Sequence, residues 1–519
     1  MPNRAEPIRS VKGTRDLLPP DTHLWHRVEA EAHRVFAAYH YGEVRTPILE
    51  ATGLFARSVG ADTDIVMKEM YTFEDHERAD LAELRAGILA IQPSIENDAG
   101  FRLYQEQIGT FQSRLGEALR KGQVPKTPEN ERGLVDLGQA VLTLGHSRSH
   151  ADQARFDHYV RRVIPPLLNA IRLGDSLTLR PEATASVVRA YIEHSLYNQG
   201  GIHKLYYIGP MFRRERPQKG RYRQFYQIGA EVLGSQNPLV DVEIIEMLAL
   251  FLERVGVHEY ELLLNSVGCP QCRTAYLEVL RQALHGVKAT MCADCQRRAE
   301  TNPLRVLDCK VAADQPTIER LPKIIQHLDP ECRQHFERVT SELQACGLAY
   351  QVAPRLVRGL DYYTRTTFEI TSGVLGAQNA VVGGGRYDGL SELLGGPPTP
   401  GIGFSIGQDR LILAVQAGKA LQTEAPLAAY VVWMGEAALA PASRLARALR
   451  RQDLSVEIDF DPMKIKKAMG VASKLQARFA IIIGEGELAS GKYQVKDMVS
   501  GEQKEVEAGA IAEYVKQKL

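Results

Sequence analysis

Gly209-Pro-Met-Phe-Arg-Arg-Glu-Arg-Pro-Gln-Lys-Gly-Arg-Tyr-Arg-Gln-Phe-Tyr-Gln-Ile-Gly-Ala-Glu-Val-Leu-Gly234 is the stretch whose reading decides the fold. Its two ends have strand composition and its middle is crowded with arginine. A strand, a basic loop and a second strand leave guanidiniums clustered between apolar segments. That arrangement suits a core poorly and a polyphosphate well, because a planar guanidinium binds phosphate oxygens in pairs. Much further along, Gly401-Ile-Gly-Phe-Ser-Ile-Gly-Gln-Asp-Arg-Leu-Ile-Leu413 is a glycine-punctuated strand that runs into a helix carrying one arginine, Arg410. Three more strings stand out: Thr178-Leu-Arg-Pro-Glu-Ala-Thr184, Leu356-Val-Arg-Gly-Leu-Asp-Tyr-Tyr363 and Gly383-Gly-Gly-Arg-Tyr-Asp-Gly389.

Working outward, residues 21–40 space their apolar positions as a helix does (Leu24, Val28, Ala32, Val35, Phe36, Tyr39), with Asp21 as the expected N-cap. Residues 43–50 read as extended, and Tyr71-Thr-Phe-Glu-Asp75 as a strand. Residues 79–173 are helical by pattern, in pieces at 80–92, 99–122, 129–145 and 150–173. Strands resume over 176–234, and a helix is expected at 240–255. Residues 265–350 form a second, mostly helical region that holds all seven cysteines. After a linker at 417–426, strands at 428–435, 455–460 and 479–484 alternate with helices at 438–452 and 464–476, the mark of a small α/β domain around a partly parallel sheet.

The chain has 519 residues, enough for about three or four domains. Lys plus Arg equals Asp plus Glu at 63 each, so any nucleic-acid surface must be local. The first residues lack the apolar segment of a secretory signal, and no run approaches the roughly 18 to 20 apolar residues of a membrane span, so no membrane partner is expected. An odd number of cysteines, gathered in one region, argues against a secreted disulfide framework and for the cytoplasm.

The strings at 209–234 and 401–413 resemble motifs 2 and 3 of class II aminoacyl-tRNA synthetases. Those at 356–363 and 383–389 resemble the two signatures of histidyl-tRNA synthetases, and 178–184 is a third matching element. The resemblance runs from about Ile8 to the C-terminus, interrupted by the insertion at 79–173. It implies an α+β fold: a class II antiparallel sheet with flanking helices, two mainly helical insertions and a C-terminal α/β anticodon-binding domain. The expected parts are catalytic core at 1–78, 174–264 and 351–416, insertions at 79–173 and 265–350, and the anticodon-binding domain at 427–519. The helix at 21–40 and the proline-bearing strand after it look like motif 1, usually a homodimer interface.

The implied reaction is ATP-dependent ligation of histidine to tRNA(His) through a histidyl-adenylate, with Mg2+. Fixed cations must hold the charge that develops around the α-phosphorus. By resemblance, Arg213 acts on the α-phosphate, Arg410 on the terminal phosphate, and Arg358 takes the place of a metal near the α-phosphate and histidine. Glu215 would accept from the adenine amine, Phe225 would stack on the base, and Arg221 would reach the outer phosphates. An imidazole has two ring nitrogens to satisfy, so a carboxylate and a phenol complement it. Glu231 and Tyr363 match those roles, Glu182, Thr184 and Gln227 match the residues that bind the α-amino group, and Tyr387 closes the ring pocket. Two Cys-x-x-Cys pairs, Cys269/Cys272 and Cys292/Cys295, fit one structural Zn2+ site; Cys309 is a competing ligand, and reduced thiols without metal are the alternative. Two rival readings share the core. A non-catalytic regulatory paralogue, such as the histidine-sensing subunit of ATP phosphoribosyltransferase, typically lacks the C-terminal domain and catalytic positions. A sensor of uncharged tRNA would carry a kinase segment, for which the companion motifs are missing.

Overall fold

The protein is described from a computed structural model covering residues 8–60, 63, 65–75, 78–91, 98–145, 157–218, 220–357, 359–376, 379–418 and 427–519. It divides into two compact units, Met1–Leu421 and Gln422–Leu519. In chain order the strands of the first unit are β1 (Gly42–Glu43), β2 (Leu49–Ala51), β3 (Tyr71–Glu74), β4 (Ser176–Leu179), β5 (His203–Phe212), β6 (Gln224–Leu233), β7 (Glu261–Ser266), β8 (Gln351–Val352), β9 (Thr364–Thr371), β10 (Ala380–Arg386) and β11 (Gly401–Gly407). Eight of them form one sheet in the order β1-β5-β6-β11-β10-β9-β7-β8. The central pairs are antiparallel, and the short strands β1 and β8 pair parallel at the edges. A separate three-stranded sheet has the order β2-β4-β3.

The two-residue period of a strand sorts the central sheet into two faces. Ile228, Ala230 and Val232 of β6, Ile402, Phe404 and Ile406 of β11, and Phe368 and Ile370 of β9 lie in one buried core. Helices Asp21–Ala38, Pro238–Arg254, Pro330–Ala345 and Gln408–Ala417 cover that face with Val28, Val35, Leu248, Phe251, Phe336, Val339, Leu411 and Val415. Each such side chain, taken out of water, contributes roughly 1.5–3 kcal/mol. The intervening residues, Gln227, Glu231, Glu369, Gly403 and Ser405, belong to the other face. The first helix starts one residue earlier than an Asp21 cap would place it. Pro20 stands at the N-cap, and Asp21 lies in the first turn, where its charge still suits the helix dipole.

Between β3 and β4 the chain leaves the sheet. Helices Ala79–Ile91, Asp98–Arg120 and Pro128–Gly145, a wider π-helical stretch Asp157–Val163 and helix Ile164–Ala170 pack around a core of their own that includes Leu81, Ile88, Phe101, Tyr104, Ile108, Phe111, Leu137, Val160 and Leu168. Buried Asn130 closes the module. Its amide donates to the carbonyls of Pro125 (2.8 Å) and Arg172 (2.7 Å), and its carbonyl accepts from the Arg172 N–H (2.8 Å). The start of the helix expected at 150–173 lies outside the described residues, and the described part ends at Ala170. The region after β7 holds helices Pro270–His285, Ala293–Thr301, Gln315–Arg320 and Pro330–Ala345 before the chain returns as β8.

The second unit contains β12 (Ala429–Trp433), β13 (Val456–Ile458), β14 (Phe479–Ile483), β15 (Lys492–Asp497) and β16 (Gln503–Glu507), in the order β13-β12-β14-β15-β16. The first three are mutually parallel, as the alternation of strands and helices predicts. The antiparallel pair β15–β16 is an addition to that expectation. Its apolar face is thin, with only Tyr493, Val495 and Val506 buried, which leaves a weak pattern in the sequence.

Candidate active site

The polar face of the large sheet opens into a cavity lined by Glu182, Thr184, Arg213, Glu215, Arg221, Phe225, Gln227, Tyr363, Tyr387 and Arg410, together with Tyr362 and Glu369. Nearly every residue singled out in the sequence thus meets in one place. One half is cationic. Arg213 follows the last residue of β5; its Nε donates to the Pro181 carbonyl at 2.9 Å, and its guanidinium lies 5.3 Å from the centre of the Phe225 ring. Arg221 reaches the Glu215 carboxylate at 2.8 Å, with Arg213 at 3.9 Å from the same group. Arg410, in the first turn of its helix, donates to the carbonyls of Gly220 (3.3 Å) and Ala380 (2.7 Å). Burial lowers the Arg410 pKa, and Arg221 and Arg213 lower it further against Glu215 and Glu369. Three guanidiniums that repel one another in a half-closed pocket form a site ready for an anion.

The other half is made of carboxyls and hydroxyls. Glu182 accepts from the backbone N–H of Thr184 (2.7 Å) and Ala185 (3.0 Å) at the start of helix Thr184–Glu193. Burial raises its pKa, and these N–H donors and Arg213 oppose the rise. Glu231 is completely buried and accepts from the Thr184 hydroxyl at 2.7 Å and the Tyr387 hydroxyl at 2.6 Å. Its pKa is pushed up to about 8, mainly by desolvation, with Glu182 adding to the rise and the two hydroxyls opposing it. Tyr363 packs against Tyr362, ring centres 4.8 Å apart, and Tyr362 against Tyr387 at 5.8 Å. The phenol bonded to Glu231 is therefore that of Tyr387, and Tyr363 sits one ring further away. The Gln227 Oε1 is buried without a hydrogen-bond partner among the described residues, an acceptor that suits an ammonium donor. Arg358 lies outside the described residues, while its neighbours Gly359 and Leu360 line the cavity.

Two glycines set the depth of the pocket. A Cβ on Gly403 would stand 1.7 Å from Glu231 Oε2, and one on Gly401 would stand 2.2 Å from the Tyr387 ring. Both positions face a bulky polar side chain across the sheet, so only glycine lets that side chain lie flat there.

Several supporting residues have no role assigned from the sequence, although Arg386, Asp409 and Tyr362 lie within its marked strings. Arg386 is wholly buried. It pairs with Asp241 at 2.6 Å and donates to the carbonyls of Ser235 (2.9 Å) and Asn237 (3.0 Å), which fixes the turn that carries Tyr387. Asp409 accepts from Arg15 at 2.7 Å and from the Tyr226 N–H at 3.2 Å, so its carboxylate ties the N-terminal segment to the sheet. Glu369 and Tyr362 also line the cavity, and only their strand or signature position hints at it.

The cysteines do not follow the expected grouping. Cys269, Cys272, Cys292 and Cys295 do not form one four-sulfur set. Cys269 and Cys272 gather with Asp329 and Cys332, while Cys292 and Cys295 gather with Cys309 and Asp314. The Cys-x-x-Cys pairs head two different helices, Pro270–His285 and Ala293–Thr301, each packed against its own neighbours.

An antiparallel sheet whose polar face carries arginines from the β5–β6 loop and from the helix after β11 defines a class II aminoacyl-tRNA synthetase core. The comparisons with known proteins agree. A family model described as "Histidyl-tRNA synthetase" matches residues 171–411, and one described as "Anticodon binding domain" matches residues 428–518. The histidine–tRNA ligase of Koribacter versatilis is 47% identical over 514 residues, covering 98% of this chain and 96% of that protein. That of Solibacter usitatus is also 47% identical, covering 97% and 98%. The crystal structure of the apo histidyl-tRNA synthetase of S. aureus superposes with a TM-score of 0.68 at 32% identity, covering 98% of this chain and all of that one. This chain belongs to the histidyl-tRNA synthetase family.

Proposed function

We propose that the protein activates histidine with ATP and transfers it to tRNA(His). The observation that carries this reading is the buried Glu231, bonded to Thr184 and Tyr387, which line the same cavity as Arg213, Arg221 and Arg410. Glu231 is mostly protonated at neutral pH in the empty pocket. An imidazole nitrogen that takes the Glu231 proton becomes an N–H donor to the ionised carboxylate, and the pair gains a charge-assisted bond. Glu182 and the unpartnered Gln227 Oε1 would receive the α-ammonium. The histidine carboxylate is then delivered towards the cationic half, where Arg213 and Arg410 hold the triphosphate and stabilise the charge that builds as the carboxylate attacks the α-phosphorus and pyrophosphate leaves. Phe225, already under the Arg213 guanidinium, would stack on the adenine, and Glu215 would accept from its amine. Mg2+ bound with the nucleotide supplies further charge neutralisation, and the oxygen donors of Glu215 and Glu369 are of the kind it takes.

A wrong side chain brings no imidazole nitrogen to Glu231 and forgoes the charge-assisted bond, so rejection needs no separate editing site. The regulatory-paralogue reading is disfavoured by Arg213 and Arg410 in the cavity and by the unit that matches the anticodon-binding family model. That unit would hold the anticodon stem. Exposed Ile48 and Leu49, at the start of β2, support a homodimer through the motif 1 region. Among the described residues no helix is long and apolar enough to cross a membrane, and a cytoplasmic location is part of the proposal. The test is ATP–pyrophosphate exchange measured with each amino acid in turn. Exchange supported only by histidine is expected; better exchange with any other amino acid overturns the reading.

A further inference from the structure

We propose that the region after β7 binds two structural zinc ions, one at Cys269, Cys272, Asp329 and Cys332 and one at Cys292, Cys295, Cys309 and Asp314, and that the pair braces the loop at 359–363. In each set the four donor atoms lie within 4.8 Å of one another; two of the four side chains are buried in the first set and three of the four in the second. A Zn–S bond of about 2.3 Å places the sulfurs of a tetrahedron about 3.8 Å apart. The Cys269 and Cys272 sulfurs are 3.6 Å apart, and those of Cys292 and Cys309 are 3.9 Å apart. Asp329 Oδ2 lies 3.1 and 3.0 Å from the sulfurs of Cys269 and Cys272, and Asp314 Oδ2 lies 3.4 Å from that of Cys309.

Helix ends and backbone donors hold both sets of ligands in place. Cys269 and Cys292 occupy the N-caps of their helices, so each Cys-x-x-Cys pair straddles a helix start. Asp329 caps helix Pro330–Ala345 and places Cys332 three residues on, repeating the spacing of the cysteine pairs. Backbone N–H groups of Asp329 and Val311 point at the sulfurs of Cys272 (3.2 Å) and Cys309 (3.4 Å). Three sulfurs and one carboxylate select zinc over magnesium or calcium. On binding, three thiols lose their protons to solvent as three Zn–S bonds and one Zn–O bond form, with no change of oxidation state.

Both sites reach the same loop. Arg273, next to Cys272, donates to the carbonyls of Tyr363 and, at 3.0 Å, of Asp361. From the second site, in the segment between Cys295 and Cys309, Asn302 donates to the Asp361 carboxylate at 3.2 Å and Arg305 to the Gly359 carbonyl at 3.0 Å. That loop carries Tyr362 and Tyr363 into the cavity. The bracing half of the proposal rests on the histidine-pocket reading; the zinc sites do not.

The test is zinc content of the full chain, expressed with added zinc chloride and purified without chelators, for the wild type, Cys332→Ser and Cys309→Ser. Two ions per wild-type chain and one in each variant are expected. No zinc in the wild type, one ion that survives in both variants, or a disulfide within either Cys-x-x-Cys pair overturns the two-site assignment. If the variants fail to fold, mercurial titration of the wild type decides: release of two zinc ions as the six ligand thiols react supports it, and release of fewer overturns it. For the bracing, each variant is expected to raise KM for histidine at least threefold while KM for ATP stays within twofold. An unchanged KM for histidine in a variant that has lost its ion refutes the brace alone.

Discussion

Glu231→Gln tests the pocket most directly. The substitution keeps the shape of a side chain with no exposed surface and removes its ability to ionise. Two hydroxyls now donate to that carboxylate, at 2.7 and 2.6 Å. A glutamine can accept from one and must turn its NH2 towards the other, and it can no longer form an ion pair with an imidazole. A hydrogen bond to a charged group is worth about 1.5–3 kcal/mol, so kcat/KM for histidine is expected to fall roughly ten- to hundredfold, with KM for ATP within about twofold. The same substitution has a signature in stability. The folded pKa of Glu231, about 8, lies above its unfolded value of 4.5. Between those values the folded chain keeps a proton that the unfolded chain gives up. Stability of the empty protein therefore falls as pH rises through that window and levels off above it. The ceiling is about 5 kcal/mol, since each tenfold change in proton affinity corresponds to roughly 1.4 kcal/mol. Denaturant melts from about pH 5 to about pH 8 should show a shallower decline in the variant than in the wild type. A variant with wild-type histidine kinetics and an unchanged pH profile would remove Glu231 from the site.

Arg213→Ala is expected to slow adenylate formation by on the order of a hundredfold or more in pre-steady-state assays, since the guanidinium acts where charge develops; near-normal rates would take it off the catalytic list. Arg358→Ala should behave likewise while tRNA binding, measured by filter retention, stays near normal. Arg386→Ala leaves Asp241 buried without its cation and should cost about 3–5 kcal/mol in denaturant unfolding; a loss below about 1 kcal/mol would contradict the buried pair. Replacing residues 79–173 with a short Gly-containing turn should preserve histidine-dependent exchange. The module has its own core and its legs meet where the Asp75 N–H donates to the Asp175 carbonyl at 3.0 Å; a folded deletion without exchange would show that the module shapes the site.

The sequence is most legible where chemistry rides on regular strands. Gln227 and Glu231 lie four apart on β6, so one face of one strand delivers both, and the string around them announces the sheet as well as the site. Arg213 and Arg410 are legible because each follows a strand end marked by glycine or proline. Partners far apart in the chain are not. Arg386 and Asp241 are 145 residues apart and Arg15 and Asp409 are 394 apart, and a lone charge does not name the residue it will meet. The cysteines mislead for a related reason. Cys-x-x-Cys spacing fixes which two sulfurs start a site, while the third sulfur and the carboxylate come from segments that only the fold brings near. Asp329 reads as an ordinary helix cap, and it is one as well.

Gly403 leaves room for Glu231, and Gly401 for Tyr387. A residue that gains a methyl at 403 expels the carboxylate, and a smaller residue at 231 leaves a hole above a glycine that cannot fill it. Each change is harmful while its partner stays, and only the two together could reshape the pocket for another amino acid. If Glu231 reads the imidazole as proposed, the choice of substrate is guarded by reciprocal sign epistasis: a lineage drifting one substitution at a time meets a poorer pocket on either route out.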